Sequence, residues 1–343
     1  MEQYEHGGDI YGNPGVMLDF SVSINPLGMP EAVNKTLVTR VSEFSRYPDP
    51  YCRELVSAIV AYENIPKDWI LCGNGAADLI YRLCHAARPR LAVVCAPTFS
   101  EYRRAMEQVG CMVTHHKLLS ENGFMLTEKL SDCITTDVDM LFLCNPNNPT
   151  GRLIPNDMIK RILTRARQTG TIVVLDECFL DFTVGESAKR HLAEMPGLVI
   201  LKAFTKMYAM AGLRLGYMLT SDIALLEKVS AVAQCWSVSV PAQIAGVAAL
   251  GCGDWQDKTR RLVAEERRYL TESLACLGIE VLPSDCNFLL LRTKQLLYEQ
   301  LLQKGILIRQ CGNFVGLDSS YYRIGIKTRS ENAYLMSVIK GII

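Results

Sequence analysis

Short apolar runs punctuate the middle of this chain. They fall at residues 92–95, 140–143, 172–175 and 198–201, and Trp69-Ile70-Leu71-Cys72 precedes them. Each ends at a turn-forming or polar break. Runs of this length bounded by turn signals read as strands buried on both faces. Helix-sized stretches separate them, so the segment from about residue 70 to 220 predicts a mostly parallel sheet covered by helices. Helical patterning then fills residues 222–278. Strands follow at 287–292, 306–309 and 321–326, with a helix among them and a last helix from about Ser330. This later part predicts a smaller α+β unit.

Composition narrows the class. With 343 residues, 49% of them hydrophobic, the chain can build a large domain and a smaller one. Its 36 basic and 36 acidic residues cancel, and no basic cluster stands out, so nucleic acid is not an expected partner. No run of eighteen apolar residues would span a membrane, and the opening Met1-Glu2-Gln3-Tyr4-Glu5-His6 lacks the apolar stretch of a signal peptide. The 13 cysteines are scattered, without a C-x-x-C pair, and several sit inside apolar strands, as Cys95 and Cys144 do. That pattern fits reduced thiols in a cytoplasmic protein better than disulfides or zinc. His115-His116 has no partner at ligand spacing, so no metal is expected.

The chemistry concentrates at strand ends. Lys206 lies just past the run Leu198-Val199-Ile200-Leu201, within Ala203-Phe204-Thr205-Lys206-Met207-Tyr208, and Arg214 follows eight residues later. Open α/β sheets bind ligands at the carboxyl edge of their strands. An amine and a guanidinium so placed suit an aldehyde cofactor that carries a phosphate. Thirty residues upstream, Thr171-Ile172-Val173-Val174-Leu175 ends in Asp176, one helix-sized crossover away. A carboxylate there would keep a pyridine nitrogen protonated. Cys72-Gly73-Asn74-Gly75-Ala76-Ala77 is a strand, a glycine turn and a helix start, a natural phosphate site that lacks the third glycine of a dinucleotide fingerprint. Two arginines in the later strands, Arg309 and Arg323, suit a substrate with two anionic groups.

With Leu143-Cys144-Asn145-Pro146-Asn147-Asn148-Pro149-Thr150-Gly151 added, the chain resembles the fold-type I pyridoxal-phosphate enzymes of the aminotransferase class I/II group across nearly its whole length. The resemblance implies an α/β fold: a large domain with a mostly parallel seven-stranded sheet flanked by helices, plus a smaller α+β domain. The division implied is an N-terminal arm and part of the small domain at 1–45, a large cofactor-binding domain at 46–250 and a small domain at 251–343. It also implies pyridoxal 5'-phosphate as cofactor, with Lys206 and Asp176 catalytic and Arg214 on the phosphate. Gly75, Ala76 and Ala77 would face that phosphate, Phe99 would stack on the ring, and Asn148 would donate to its phenolic oxygen. Tyr47 would reach across a homodimer interface to the neighbour's phosphate, making a shared active site. Two departures stand out. Ala203 occupies a position where a hydroxyl usually helps hold the phosphate, for which Thr205 would compensate, and Phe179 replaces a common tyrosine.

Within this group, His6-Gly7-Gly8-Asp9, Leu18-Asp19-Phe20-Ser21-Val22-Ser23-Ile24-Asn25-Pro26-Leu27-Gly28 and Gly316-Leu317-Asp318-Ser319-Ser320-Tyr321-Tyr322-Arg323 are similar to the threonine-phosphate decarboxylases of cobalamin synthesis. Asp9 stands where asparagine is expected. The implied activity is decarboxylation of L-threonine O-3-phosphate to aminopropanol O-phosphate, with His6, Gly7, Asn25, Asn148, Arg309 and Arg323 around the phosphoamino acid. The histidinol-phosphate aminotransferases share the same core motifs, so transamination of histidinol phosphate or a similar compound is the alternative. Residue inventory does not separate the two, because the bond that breaks is the one held perpendicular to the cofactor ring.

Overall fold

The computed structural model describes residues 6–343. Residues 1–5, on which the absence of a signal peptide was read, lie outside the described residues. A two-residue strand, β1 (Leu18–Asp19), comes first in the chain. Seven more strands then build the main sheet: β2 (Ile70–Gly73), β3 (Leu91–Ala96), β4 (Met112–Lys117), β5 (Met140–Cys144), β6 (Ile172–Asp176), β7 (Leu198–Ala203) and β8 (Gly216–Leu219). Their order is β2-β8-β7-β6-β5-β3-β4. Neighbours pair in parallel except around β8, which runs antiparallel to both β2 and β7. The expected mostly parallel seven-stranded sheet is therefore present.

Side chains alternate across each strand, and the sheet sorts them into two cores. On one face Ala92, Val94, Met140, Phe142, Val174 and Val199 pack with Leu79, Leu83 and Tyr102. On the other, Val93, Leu141, Leu143, Val173 and Leu175 pack with Ile159, Ile162 and Leu163. Covering both faces is what lets the strands read as continuous apolar runs. Below the sheet's active edge, Lys202 on β7 is buried among Glu177, Asp181 and Glu63, with Glu177 3.4 Å away. Burial opposes its charge, but the three carboxylates override this and hold the amine above its ordinary range. Glu177 is thus spent on the fold, its carboxylate also accepting from Ser187 and from the Ala188 amide.

The second sheet comprises β9 (Glu280–Val281), β10 (Phe288–Arg292), β12 (Arg309–Gln310) and β13 (Tyr321–Gly325), all antiparallel in the order β12-β13-β10-β9. The run expected as one strand at 306–309 divides. Its first half, β11 (Ile306–Leu307), pairs in parallel with β1, and its second half crosses to β13. That switch fastens the N-terminal segment to the second sheet, where Phe20 N donates to the Leu307 carbonyl at 2.7 Å and Gly325 N donates to the Phe20 carbonyl at 2.7 Å.

Candidate active site

β7 ends at Ala203 and the chain turns directly into a four-residue helix, Phe204–Met207. Phe204 and Met207 are buried in the core, which fixes the turn and aims Lys206 over the strand ends. A cavity of about 250 Å³ opens there. Lys206, Asp176, Asn148, Arg214, Phe99, Ala76, Ala77 and Thr205 all line it, as do His6, Gly7, Arg309 and Arg323. Residues scattered over the sequence are thereby brought together around one cavity.

Burial pushes the Lys206 amine down to about 8, and the guanidiniums of Arg323 and Arg214 add to the effect. An amine so depressed is largely nucleophilic at mildly alkaline pH. Asp176 ends β6 with both carboxylate oxygens held: the Tyr102 hydroxyl donates to Oδ2 at 2.7 Å and the Cys178 amide donates to Oδ1 at 2.9 Å. Burial, reinforced by Asp176, keeps the Tyr102 phenol protonated and so a donor.

The glycine turn is the candidate anion cradle. Gly75 has φ +82°, and a Cβ there would lie 2.7 Å from Arg214 Nη2. Only glycine lets the turn approach the guanidinium while the helix Ala76–Ala87 opens its backbone N–H groups beside it. Gly75 thus backs the cradle, while Ala76 and Ala77 form the cavity wall. Arg214 itself donates to the Ala211 carbonyl at 3.1 Å.

On the opposite wall, Arg323 is buried and donates through Nη1 to Asn148 Oδ1 and through Nη2 to the Ser21 carbonyl at 2.8 Å. Burial, with Arg309 second among the groups that lower it, brings Arg323 down to about 10. Arg309 donates to Asn313 Oδ1 at 2.8 Å and lies over the Phe314 ring. Phe179 lines the cavity with its ring 5.7 Å from Lys206 Nζ and edge-on to Phe288. Ala203 and Thr205 both reach the cavity, so the hydroxyl absent from the first is present two residues on.

Among the described residues, four buried side-chain polar atoms lack a hydrogen-bond partner, and two of them, Ser23 Oγ and Arg323 Nε, belong to residues lining this cavity. Leaving such a group unpaired costs about 1–3 kcal/mol, which a polar ligand would relieve. Together with the glycine-backed cradle and the depressed amine, these atoms fit a phosphorylated aldehyde such as pyridoxal phosphate with an anionic substrate beside it.

One expectation changes. Asn25 does not reach the cavity. Its Nδ2 donates to the Met207 carbonyl and to Thr259 Oγ1, both at 2.7 Å, while Oδ1 accepts from Leu27 N at 2.9 Å. It fastens the N-terminal segment behind the lysine helix, and Ser23, two residues earlier, is the residue of that segment that lines the cavity. Tyr47 lies outside the cavity of its own chain, 79% exposed and stacked on Trp236 with ring centroids 4.4 Å apart. Among the described residues, no cluster capable of holding a metal and no helix long and apolar enough to cross a membrane occurs.

Known proteins resemble this chain in sequence and fold. The family of aminotransferases of class I and II matches residues 16–339. A threonine-phosphate decarboxylase from Salmonella typhimurium is 37% identical, over 98% of this chain and 96% of its own length. The crystal structure of a histidinol-phosphate aminotransferase from Clostridium acetobutylicum superposes with a TM-score of 0.89 at 29% identity, covering 95% of this chain and 99% of its own. That of an L-threonine-O-3-phosphate decarboxylase from Porphyromonas gingivalis gives 0.84 at 26% identity with the same coverage.

Proposed function

The chain belongs to the aminotransferase class I and II family, and from that premise we propose that it is a pyridoxal-phosphate enzyme that decarboxylates L-threonine O-3-phosphate to aminopropanol O-phosphate. The observation that carries the reading is what remains once the cofactor's needs are met. Lys206, Asp176, Arg214 and the turn at Gly75 account for an aldehyde, a pyridine nitrogen and a phosphate. Arg309 and Arg323 are left over, on one wall of the same cavity. Two guanidiniums suit a substrate with two anions, a carboxylate and a phosphate. Histidinol phosphate itself has a single anionic group, so in a transamination the second arginine would serve only the keto-acid amino acceptor.

When bound, pyridoxal phosphate supplies the electron sink that lets a bond to the α-carbon break and leave its electron pair behind. The residues of this chain do the rest. Lys206 would hold the aldehyde, and its ammonium form would return a proton to the α-carbon that lost CO₂. Asp176, fixed by Tyr102 and Cys178, keeps the pyridine nitrogen protonated. Asn148 turns its carbonyl to Arg323, which leaves its amide nitrogen as donor to the cofactor's phenolic oxygen. Arg323 takes the substrate carboxylate, while Arg309, His6 and Gly7 take the substrate phosphate, with the Ser23 hydroxyl completing the pocket. Where these side chains hold the two anions would then decide which bond to the α-carbon breaks, and so decarboxylation against transamination.

We place the active site in a homodimer. The exposed apolar side chains Val38, Val41, Phe44, Tyr47, Tyr51 and Trp236 support a second copy covering this surface, with Tyr47 reaching the neighbour's cofactor phosphate. The aminotransferase likeness favours a second reading, transamination of a phosphorylated amine. The test is a substrate panel of threonine phosphate, threonine and histidinol phosphate. Turnover led by threonine phosphate supports the proposal, whereas turnover led by histidinol phosphate replaces it with the second reading.

A further inference from the structure

Glu101 stands in the first turn of the helix Ser100–Gln108, immediately after Phe99. Its side chain is only 14% exposed, and both carboxylate oxygens are engaged. Oε1 meets His6 Nε2 at 2.9 Å, and Oε2 accepts from the Tyr81 hydroxyl at 2.6 Å. Arg104 Nη1 lies 3.5 Å from Oε1. Tyr81 belongs to the helix Ala76–Ala87, whose first residues form the phosphate cradle. One carboxylate therefore ties together the cradle helix, the Phe99 helix and the N-terminal segment.

We infer that Glu101 is a positioning residue that holds His6 in the wall of the active site, and through it sets recognition of the substrate phosphate. This rests on the function proposed above. The His6 hydrogen bond leads the effects that hold Glu101 below its ordinary range, ahead of opposing burial, so the carboxylate is an acceptor and His6 Nε2 carries a hydrogen. The His6 ring packs against Phe99 with centroids 5.6 Å apart. His6, Gly7 and Arg309 also border a second cavity of about 590 Å³ on their outer side. They form a partition, and without its anchor on Glu101 that partition opens the inner cavity outward. A surface ion pair with no such task would contribute little.

The test uses the holoenzyme with Glu101→Gln, His6→Ala and the double variant. Glu101→Gln should raise KM for threonine phosphate roughly tenfold and lower kcat less than twofold, with little change toward threonine. The double variant should be no worse than His6→Ala, because Glu101 acts through His6. Independently of any substrate, amide hydrogen exchange across residues 6–20 should quicken in Glu101→Gln, and Glu101→Asp should recover part of the protection. Additive losses in the double variant, or unchanged exchange in Glu101→Gln, would overturn the inference. Wild-type turnover that ignores the substrate phosphate would instead overturn the function on which it rests, and the exchange measurement would still judge the anchor.

Discussion

Arg309 and Arg323 stand directly opposite each other across the antiparallel pair β12–β13. Like charges in that register are destabilising, and here one of them is buried. A dianionic substrate would turn the repulsion into affinity. Arg309→Ala should therefore cost about 2–5 kcal/mol of kcat/KM with threonine phosphate and much less with threonine. Arg323→Ala should damage both substrates, since both carry the carboxylate. Steady-state kinetics on the two substrates give the ratio. Equal losses from Arg309→Ala would show that it does not read the phosphate.

Lys206 should carry the cofactor covalently. Borohydride treatment of the purified protein should leave a pyridoxyl mass on the Lys206 peptide, and Lys206→Ala should lose that mass along with turnover while folding normally. The modified peptide in a mass spectrum is the check. A label on Lys202 would contradict the assignment.

The depressed amine predicts a pH dependence. Only the neutral form of Lys206 attacks an aldehyde, so capture of pyridoxal phosphate by the apoprotein should accelerate as pH rises, with half-maximal rate near pH 8. Stopped-flow absorbance across pH 6–10 measures it. A midpoint near 10, the ordinary lysine range, would mean that burial and the neighbouring arginines do not act on this amine.

Asp176→Asn should lower turnover by about two orders of magnitude or more, because a neutral amide no longer favours the protonated ring. Tyr102→Phe removes one hydrogen bond to the same carboxylate and should cost about 1 kcal/mol. Turnover assays on both variants decide the order of the two effects. Near-normal activity in Asp176→Asn would place a different acid at the ring nitrogen.

Ser23→Ala separates a ligand group from a structural one. Its hydroxyl has no partner among the described residues, so removing it should leave the Tm without substrate unchanged or slightly higher, while KM rises. A lower Tm with unchanged KM would show that the hydroxyl serves the fold.

The strand ends bearing Lys206 and Asp176 were legible because β6 and β7 are buried on both faces and read as plain apolar runs. β4 was not, because Met112–Lys117 is an edge strand whose residues alternate in exposure and include two histidines. The early segment shows a different limit. Ser21, Ser23 and Asn25 are alternate buried residues of this segment, and Asn25 is drawn away from the cavity by Met207 and Thr259, which lie 182 and 234 residues from it. Local pattern carries no trace of such partners. The same holds for Glu101, whose bond to His6 spans 95 residues.

The most direct measurement follows the substrate's carboxyl carbon and nitrogen together. Threonine phosphate labelled at both atoms should release one CO₂ per molecule consumed and keep its nitrogen in an aminopropanol phosphate product. Nitrogen transferred away, with the carboxyl carbon retained in a keto acid, would contradict the account and make the protein an aminotransferase.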